Sequence, residues 1–153
     1  MPLSADADIA RVLAATQTIA LLGASANPAR PSYEVMQFLL ANGYQVYPVN
    51  PGLAGQQLQG CKVYPRLSAV PGPIDMVDVF RQSSHLAGIV EEAVAAGVKT
   101  LWTQLGVVDM AAAAAAEREG IEVVQDRCPV REIPRLRAAG LLASRDRVAG
   151  STG

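Results

Sequence analysis

The stretch Thr18–Ser32, TIALLGASANPARPS, runs an apolar segment into a Gly-Ala-Ser turn and then sets Arg30 and Ser32 where a helical pattern begins. Small residues let backbone N–H groups approach a ligand closely. A helix N-terminus adds partial positive charge, so such a loop suits a phosphate. Arg30 contributes a fixed cation whose planar fork matches phosphate oxygens. Arg81 and Arg127 follow two later strand-like runs, at 74–79 and 121–125. The chemistry expected is the holding of a phosphorylated ligand at a local anion site.

Reactive groups are sparse. The single histidine, His85, follows Ser83-Ser84 at a helix start and reads as a capping or surface residue. The residues place no Ser-His-Asp set, no metal cluster and no convergent carboxylate pair. Asp75 and Asp78 bracket a strand and read as structural. Cys128 is the candidate nucleophile, because a neighbouring Arg127 would lower a thiol pKa. The competing reading is a half-buried packing cysteine. A binding module without catalysis of its own is therefore expected.

These residues need a frame to position them. The 153 residues suffice for one domain with a real core, and half of them are apolar. With 13 basic and 14 acidic residues the net charge is −1, so nothing attracts nucleic acid or an anionic membrane in general. The start, MPLSADAD, carries acids where a secretion signal needs Lys or Arg. Residues 12–29 lack charge, but Gln17, Asn27 and Pro28 interrupt them, so no membrane span is expected. Cys61 and Cys128 make no disulfide framework, and the expected location is the reducing cytoplasm.

One local pattern recurs at Asn42-Gly43-Tyr44, Ala96-Gly97-Val98 and Glu119-Gly120-Ile121. Each glycine closes a helix and opens a strand, which means βα units and a mostly parallel sheet. The periodicities predict strands at 18–23, 45–49, 62–64, 74–79, 98–103 and 121–125. Helices are expected near 5–15, 31–42, 84–96, 109–119 and 131–142, with Asp109 capping the fourth. The fold class is α/β: a three-layer, Rossmann-like, doubly wound, mostly parallel sheet of five or six strands. Residues 1–143 are expected to form a single domain, with 144–153 as a loose C-terminal tail.

In such a sheet ligands bind at the C-terminal strand ends, where the strand order reverses. With the first strand central, that crevice lies between Gly23–Ser32 and Phe80–Ser84. Asn50-Pro51-Gly52, Gln104-Leu105-Gly106 and Arg127-Cys128-Pro129 face the same rim. Arg30, Arg81 and Arg127 are thus expected to meet at one edge. The dinucleotide fingerprint G-x-G-x-x-G lacks its second and third glycines here, and Asn50 stands where an acid would hold the ribose diol. A neutral Asn50 tolerates a phosphorylated ribose, as would Lys62 if it reaches that far.

The motifs resemble a known family. They are Gly23-Ala24-Ser25, Arg30-Pro31-Ser32-Tyr33, Tyr47-Pro48-Val49-Asn50-Pro51, Gly60 and Val63-Tyr64-Pro65. Asp75-Met76-Val77-Asp78-Val79-Phe80-Arg81, Trp102-Thr103-Gln104-Leu105-Gly106 and Asp126-Arg127-Cys128-Pro129 follow in order. Over residues 15–136 the chain resembles the small stand-alone CoA-binding proteins. These are similar to the N-terminal CoA-binding domain of the succinyl-CoA synthetase α subunit. Val130-Arg131-Glu132 stands where members often carry Lys-Ile-Glu.

The resemblance implies a domain that holds the 3′-phospho-ADP half of coenzyme A or an acyl-CoA. Gly23, Ala24 and Ser25 would line the pyrophosphate, with Arg30 and Ser32 nearby. Val49, Asn50 and Pro51 would face ribose and adenine. Phe80 and Arg81 would flank the nucleotide, and Gln104 and Gly106 would border the pantetheine path. The alternative is an NAD(P)-binding oxidoreductase or redox sensor using the same crevice. A homo-oligomer, or a partner chain that completes an active site, stays open.

Overall fold

In the computed structural model, residues 1–145 are described. Their elements are α1 (Asp6–Ala15), β1 (Thr18–Leu22), α2 (Pro31–Ala41), β2 (Gln45–Val49), β3 (Gln57–Leu58) and β4 (Cys61–Lys62). Then come β5 (Met76–Val79), α3 (Leu86–Ala95), β6 (Thr100–Thr103), α4 (Met110–Arg118), β7 (Glu122–Val124) and α5 (Pro129–Ala138).

Five strands form one parallel sheet in the order β2-β1-β5-β6-β7. The central strands β1, β5 and β6 are almost wholly buried, and helices cover both faces of the sheet. On one face Ile19, Leu21, Met76 and Trp102 pack against Leu13 of α1, Met36 and Leu39 of α2, and Ile133 and Leu136 of α5. On the other, Val77, Val79 and Leu101 meet Leu86 and Ile89 of α3 and Ala113 and Ala116 of α4. The chain winds outward from β1 to β2, then returns across β1 to β5, which puts the switch point between β1 and β5.

Local chemistry sets the boundaries. Asp109 accepts from Ala112 N at 3.1 Å and starts α4. Gly43, Gly97 and Gly120 all have positive φ after their helices. Asp75 accepts from the N–H groups of Gln17 and Thr18 at 2.8 and 3.1 Å, pinning the start of β1 beside β5.

The elements depart most from expectation in three places, and α5 also ends at Ala138 rather than near 142. The 62–64 strand is replaced by an antiparallel hairpin of β3 and β4, and only Tyr64 pairs with the sheet, in a parallel bridge to Val49. Pro65 stops the run, and Gln59 and Gly60, both at positive φ, turn it. α3 begins at Leu86 behind a 3₁₀ turn at Ser83–His85, and Val94, on its expected inner face, is 37% exposed. α5 begins at Pro129, whose fixed φ suits a first helical position, and Pro134 sits on its exposed side. At the expected tail, Arg145 donates to Ala14 O and Thr16 O at 3.0 and 2.7 Å and stacks 4.3 Å from the Tyr44 ring. Residues 146–153 of that tail lie outside the described residues.

Candidate functional site

The C-terminal ends of β1, β5 and β6 and the first turns of α2 and α5 surround a cavity of about 820 Å³. Ten of the sequence-predicted positions line it: Gly23, Ala24, Ser25, Arg30, Ser32, Asn50, Phe80, Arg81, Gln104 and Gly106. Val49 and Pro51 line a second cavity of about 590 Å³ instead. The two cavities share Gly23, Asn50, Phe80 and Arg81, so they meet at the switch point.

The Gly23 turn works differently from a simple phosphate cradle. The N–H groups of Gly23 and Ala24 both donate to Val49 O, at 3.1 and 3.2 Å. Ser25 Oγ accepts from Asn27 N, and Asn27 Oδ1 accepts from Ala29 N, so the loop is braced by its own side chains. Among the described residues no partner takes the N–H groups of Ser25 and Ala26. Ser32, 4% exposed on the cavity wall, also makes no side-chain hydrogen bond there. The donors open to a ligand are therefore these, one step further along than Gly23 and Ala24.

Asn50 has a structural task that explains its identity. Its Nδ2 donates to Ala24 O at 2.7 Å, and its Oδ1 accepts from Gly52 N at 2.8 Å, capping the 3₁₀ turn Pro51–Leu53. A carboxylate could supply the second bond but would set a bare oxygen against the Ala24 carbonyl. Asn50→Asp should therefore lower unfolding stability by about 1–3 kcal/mol, the cost of a broken, partly buried pairing. Urea unfolding checks this, and an unchanged midpoint would refute the bracing role.

The arginines divide into two groups. Arg11 pairs with Glu122 at 2.6 Å, and Arg135 pairs with Asp6 and Glu132 at 2.8 and 3.0 Å. Arg137 donates to Asn42, and Arg145 to backbone carbonyls. Among the described residues Arg30, Arg66, Arg81, Arg118 and Arg131 make no ion pair, and all but Arg118 line the two cavities. The expected meeting of Arg30, Arg81 and Arg127 is corrected here. Arg127 turns to Glu132 at 2.8 Å, because α5 begins early and puts that carboxylate within reach. Arg131, in the first turn of α5, takes its place. Lys62 lies over the Tyr64 ring and lines neither cavity.

Beneath the first cavity, on the α2 and α5 face, Asp78 is fully buried, and burial pushes its carboxyl up to about 7. Gln104 Nε2 donates to Asp78 Oδ1 at 2.7 Å, while Asp78 Oδ2 has no partner among the described residues. Gln104 thus spends its amide on Asp78 as it lines the cavity. Cys128 lines the same cavity, but burial raises its thiol pKa, and a charge on Asp78 raises it further. The expected activation by Arg127 is absent, since that guanidinium is engaged with Glu132. The packing reading of Cys128 is the one these contacts support.

His85 is exposed and caps nothing. Its Nε2 lies 3.4 Å from Arg81 Nη2, on the wall of the second cavity. Sequence reasoning passed over Arg66, Arg131, Gly88 and Glu92. Arg131 could have been found from its place in the first turn of a helix at the rim. Arg66 could not, because its position depends on how the β3–β4 hairpin folds back.

A parallel sheet in this order, with a tight glycine turn at its switch point, defines a Rossmann-like α/β domain. Within that class the chain belongs to the CoA binding domain family, whose profile matches residues 17–134. The protein YneT of Bacillus subtilis (strain 168) is 34% identical over 122 residues, covering 80% of this chain and 89% of YneT. A hypothetical protein of Pyrococcus horikoshii OT3 superposes with a TM-score of 0.83 at 37% identity, covering 90% of this chain and 96% of that one. The α subunit of acetate–CoA ligase [ADP-forming] I of Pyrococcus furiosus is 30% identical over 89 residues. That match covers 56% of this chain and 19% of the ligase subunit.

Proposed function

We propose that this protein holds coenzyme A or an acyl-CoA through its 3′-phospho-ADP half, as a binding module without catalysis of its own. The observation that carries this reading is the segregation of unpaired arginines. Arg30, Arg66, Arg81 and Arg131 surround two adjoining cavities, while the other arginines among the described residues, Arg118 apart, are engaged by carboxylates, an amide or carbonyls. Unpaired guanidinium groups at a cavity wall suit a ligand with several phosphates.

In this reading the pyrophosphate lies at Ser25, Ser32 and the α2 N-terminus, between Arg30 and Arg81. Gly23 and Ala24 supply the close backbone, and Val49, Asn50 and Pro51 face the ribose and adenine. Phe80 flanks the nucleotide. The pantetheine arm runs over Gln104 and Gly106 toward Cys128 and Val130. The family membership and the ligase match point to the same ligand. The braced Asn50 works against the dinucleotide alternative, which wants an acid at that position.

Titration calorimetry with CoA, NAD and NADP tests the reading. CoA should bind most tightly. Arg30→Ala and Arg81→Ala should each weaken CoA by about 1–3 kcal/mol, the range for a hydrogen bond to a charged group, and added salt should weaken it further. Tighter binding of either nicotinamide dinucleotide would overturn the CoA reading.

A further inference from the structure

Asp78 and Gln104 form a pair that ligand binding has not yet used. The register of β5 sets Asp78 between Leu21 of β1 and Trp102 of β6, where its side chain is sealed from solvent. Gln104 Nε2 supplies its one hydrogen bond among the described residues, at 2.7 Å, and Oδ2 has none. A buried carboxyl with an idle oxygen costs stability that an apolar residue of similar size would not. Packing alone gives no reason for it.

Gln104 joins this buried acid to the larger cavity. The residue is 7% exposed and lines that cavity, and its Oε1 accepts no hydrogen bond among the described residues. Its backbone is held on both sides: its N–H donates to Val79 O at 3.3 Å, and its carbonyl accepts from Val107 N at 3.0 Å. The terminal side-chain torsion stays free to turn, and such a torsion has two broad, nearly equivalent settings. An ionised Asp78 only accepts, so it holds Nε2 and leaves Oε1 for the cavity. A protonated Asp78 has an O–H to place, and a half-turn of the Gln104 amide offers Oε1 to it. That turn presents Nε2 to the cavity instead. One buried proton thus exchanges an acceptor for a donor on the cavity wall.

The other charged and titratable groups near Asp78 make no hydrogen bond or ion pair with it among the described residues. On α5 these are Cys128, Arg131 and the Arg127–Glu132 pair, and at the start of α2 they are Arg30 and Glu34. β1 and β6 set the apolar Leu21 and Trp102 beside it, and the Trp102 indole N–H donates to Arg127 O at 2.8 Å. Burial raises the Cys128 thiol, so it stays neutral near pH 7. Burial also pushes the Asp78 carboxyl up to about 7, which puts the exchange near neutral pH.

We propose that Asp78 is a positioning residue that sets the polarity of the ligand site through Gln104: when ionised, it turns an amide oxygen to the cavity and favours a ligand arm that offers an N–H group, such as a secondary amide. The inference rests on the CoA reading, in which an amide-bearing arm runs over Gln104. Its consequence is that ligand binding drives Asp78 to release its proton, so affinity rises with pH through the carboxyl's titration.

Titration calorimetry of CoA between pH 5.5 and 8, in buffers of different ionisation enthalpy, tests this. The proteins are the wild type, Asp78→Asn and Gln104→Leu. The CoA phosphate monoester and His85 titrate in the same range, but they are common to all three proteins, so differences between proteins read Asp78. The ratio of wild-type to Asp78→Asn affinity should rise roughly three- to tenfold from pH 5.5 to 8, the factor for one hydrogen bond. Near pH 6.5 wild type should release about a quarter to half a proton more than Asp78→Asn on binding. Gln104→Leu should lose that extra release although Asp78 still titrates in it. Its fall in stability with rising pH should persist and extend to higher pH, because the hydrogen bond that lowered the carboxyl is gone. An affinity ratio that is flat or falls with pH, or an extra release that survives Gln104→Leu, would overturn the role of Asp78 and leave CoA binding standing. Absence of CoA binding to wild type at every pH would overturn both readings.

Discussion

Gly23→Ala is expected to remove about 2–5 kcal/mol of stability, a large share of the 5–15 kcal/mol that holds an ordinary domain together. Two costs add. Gly23 sits at φ +88, where an L side chain is strained by about 1–2 kcal/mol. A Cβ there would also lie 2.8 Å from the carbonyl oxygen of Phe80 and 3.1 Å from its carbon. That backbone cannot yield easily, because Phe80 N donates to Leu22 O at 2.9 Å and fixes the end of β5 against β1. Overpacking of this kind costs about 1–3 kcal/mol. Gly106→Ala is the control: its φ is +81, but nothing lies within 4 Å of its Cβ, so only the strain applies. Urea unfolding of both variants measures the difference. Equal losses at the two positions would show that the close approach of Gly23 to Phe80 does not govern the turn.

The second large effect is a fall in stability as pH rises from about 4 to 8, removed by Asp78→Asn. Asp78 has an ordinary carboxyl value of 3.8 in the unfolded chain and about 7 in the fold, where burial disfavours its charge. Between those values the folded state holds a proton that the unfolded state has lost. Stability therefore falls with rising pH across that window, and it levels off above pH 7. The retained proton is worth up to about 4 kcal/mol across that window. Asp6, Asp75 and Glu122 act in the opposite sense. Their carboxyls are lowered, by the Arg135 hydrogen bond, by backbone N–H groups and by Arg11 respectively, so their contribution is lost only in acid, below about pH 4.5. Chemical denaturation at pH 5 and pH 8 reads the Asp78 window directly. The amide carbonyl introduced by Asp78→Asn still accepts from Gln104 and does not titrate, so the variant's profile should be flat across that window. A wild-type profile already flat there, or a slope that survives Asp78→Asn, would refute the assignment.

Asp78 also shows where sequence reading stops. It was legible as a structural residue next to a strand end, but its neighbour Asp75 is legible in the same way and behaves oppositely. Asp75 meets two backbone N–H groups at the open start of the sheet, whereas Asp78 is closed over with one oxygen unpartnered. Burial and partners are properties of the packed molecule, and they invert the sign of the effect.

What the sequence determined by itself is local or periodic. The glycines after helices, the apolar runs and Asp109 set the alternation of helix and strand. The parallel sheet, its switch point and the loops that face it follow from connection rules that short βα units obey. Twelve candidate positions come to two adjoining cavities for that reason alone. Tertiary structure decided everything that depends on which side chain reaches which partner. Glu132 reaches Arg127 only because Pro129 starts α5 early, so one expected cation leaves the site and Arg131 enters it. The β3–β4 hairpin folds the following chain back onto Val49, and with it Arg66 comes to line the same cavity as His85. Ion pairs form through a few ångströms of space and close at the end of long side chains. A pattern of residue types along the chain carries no record of distances that short.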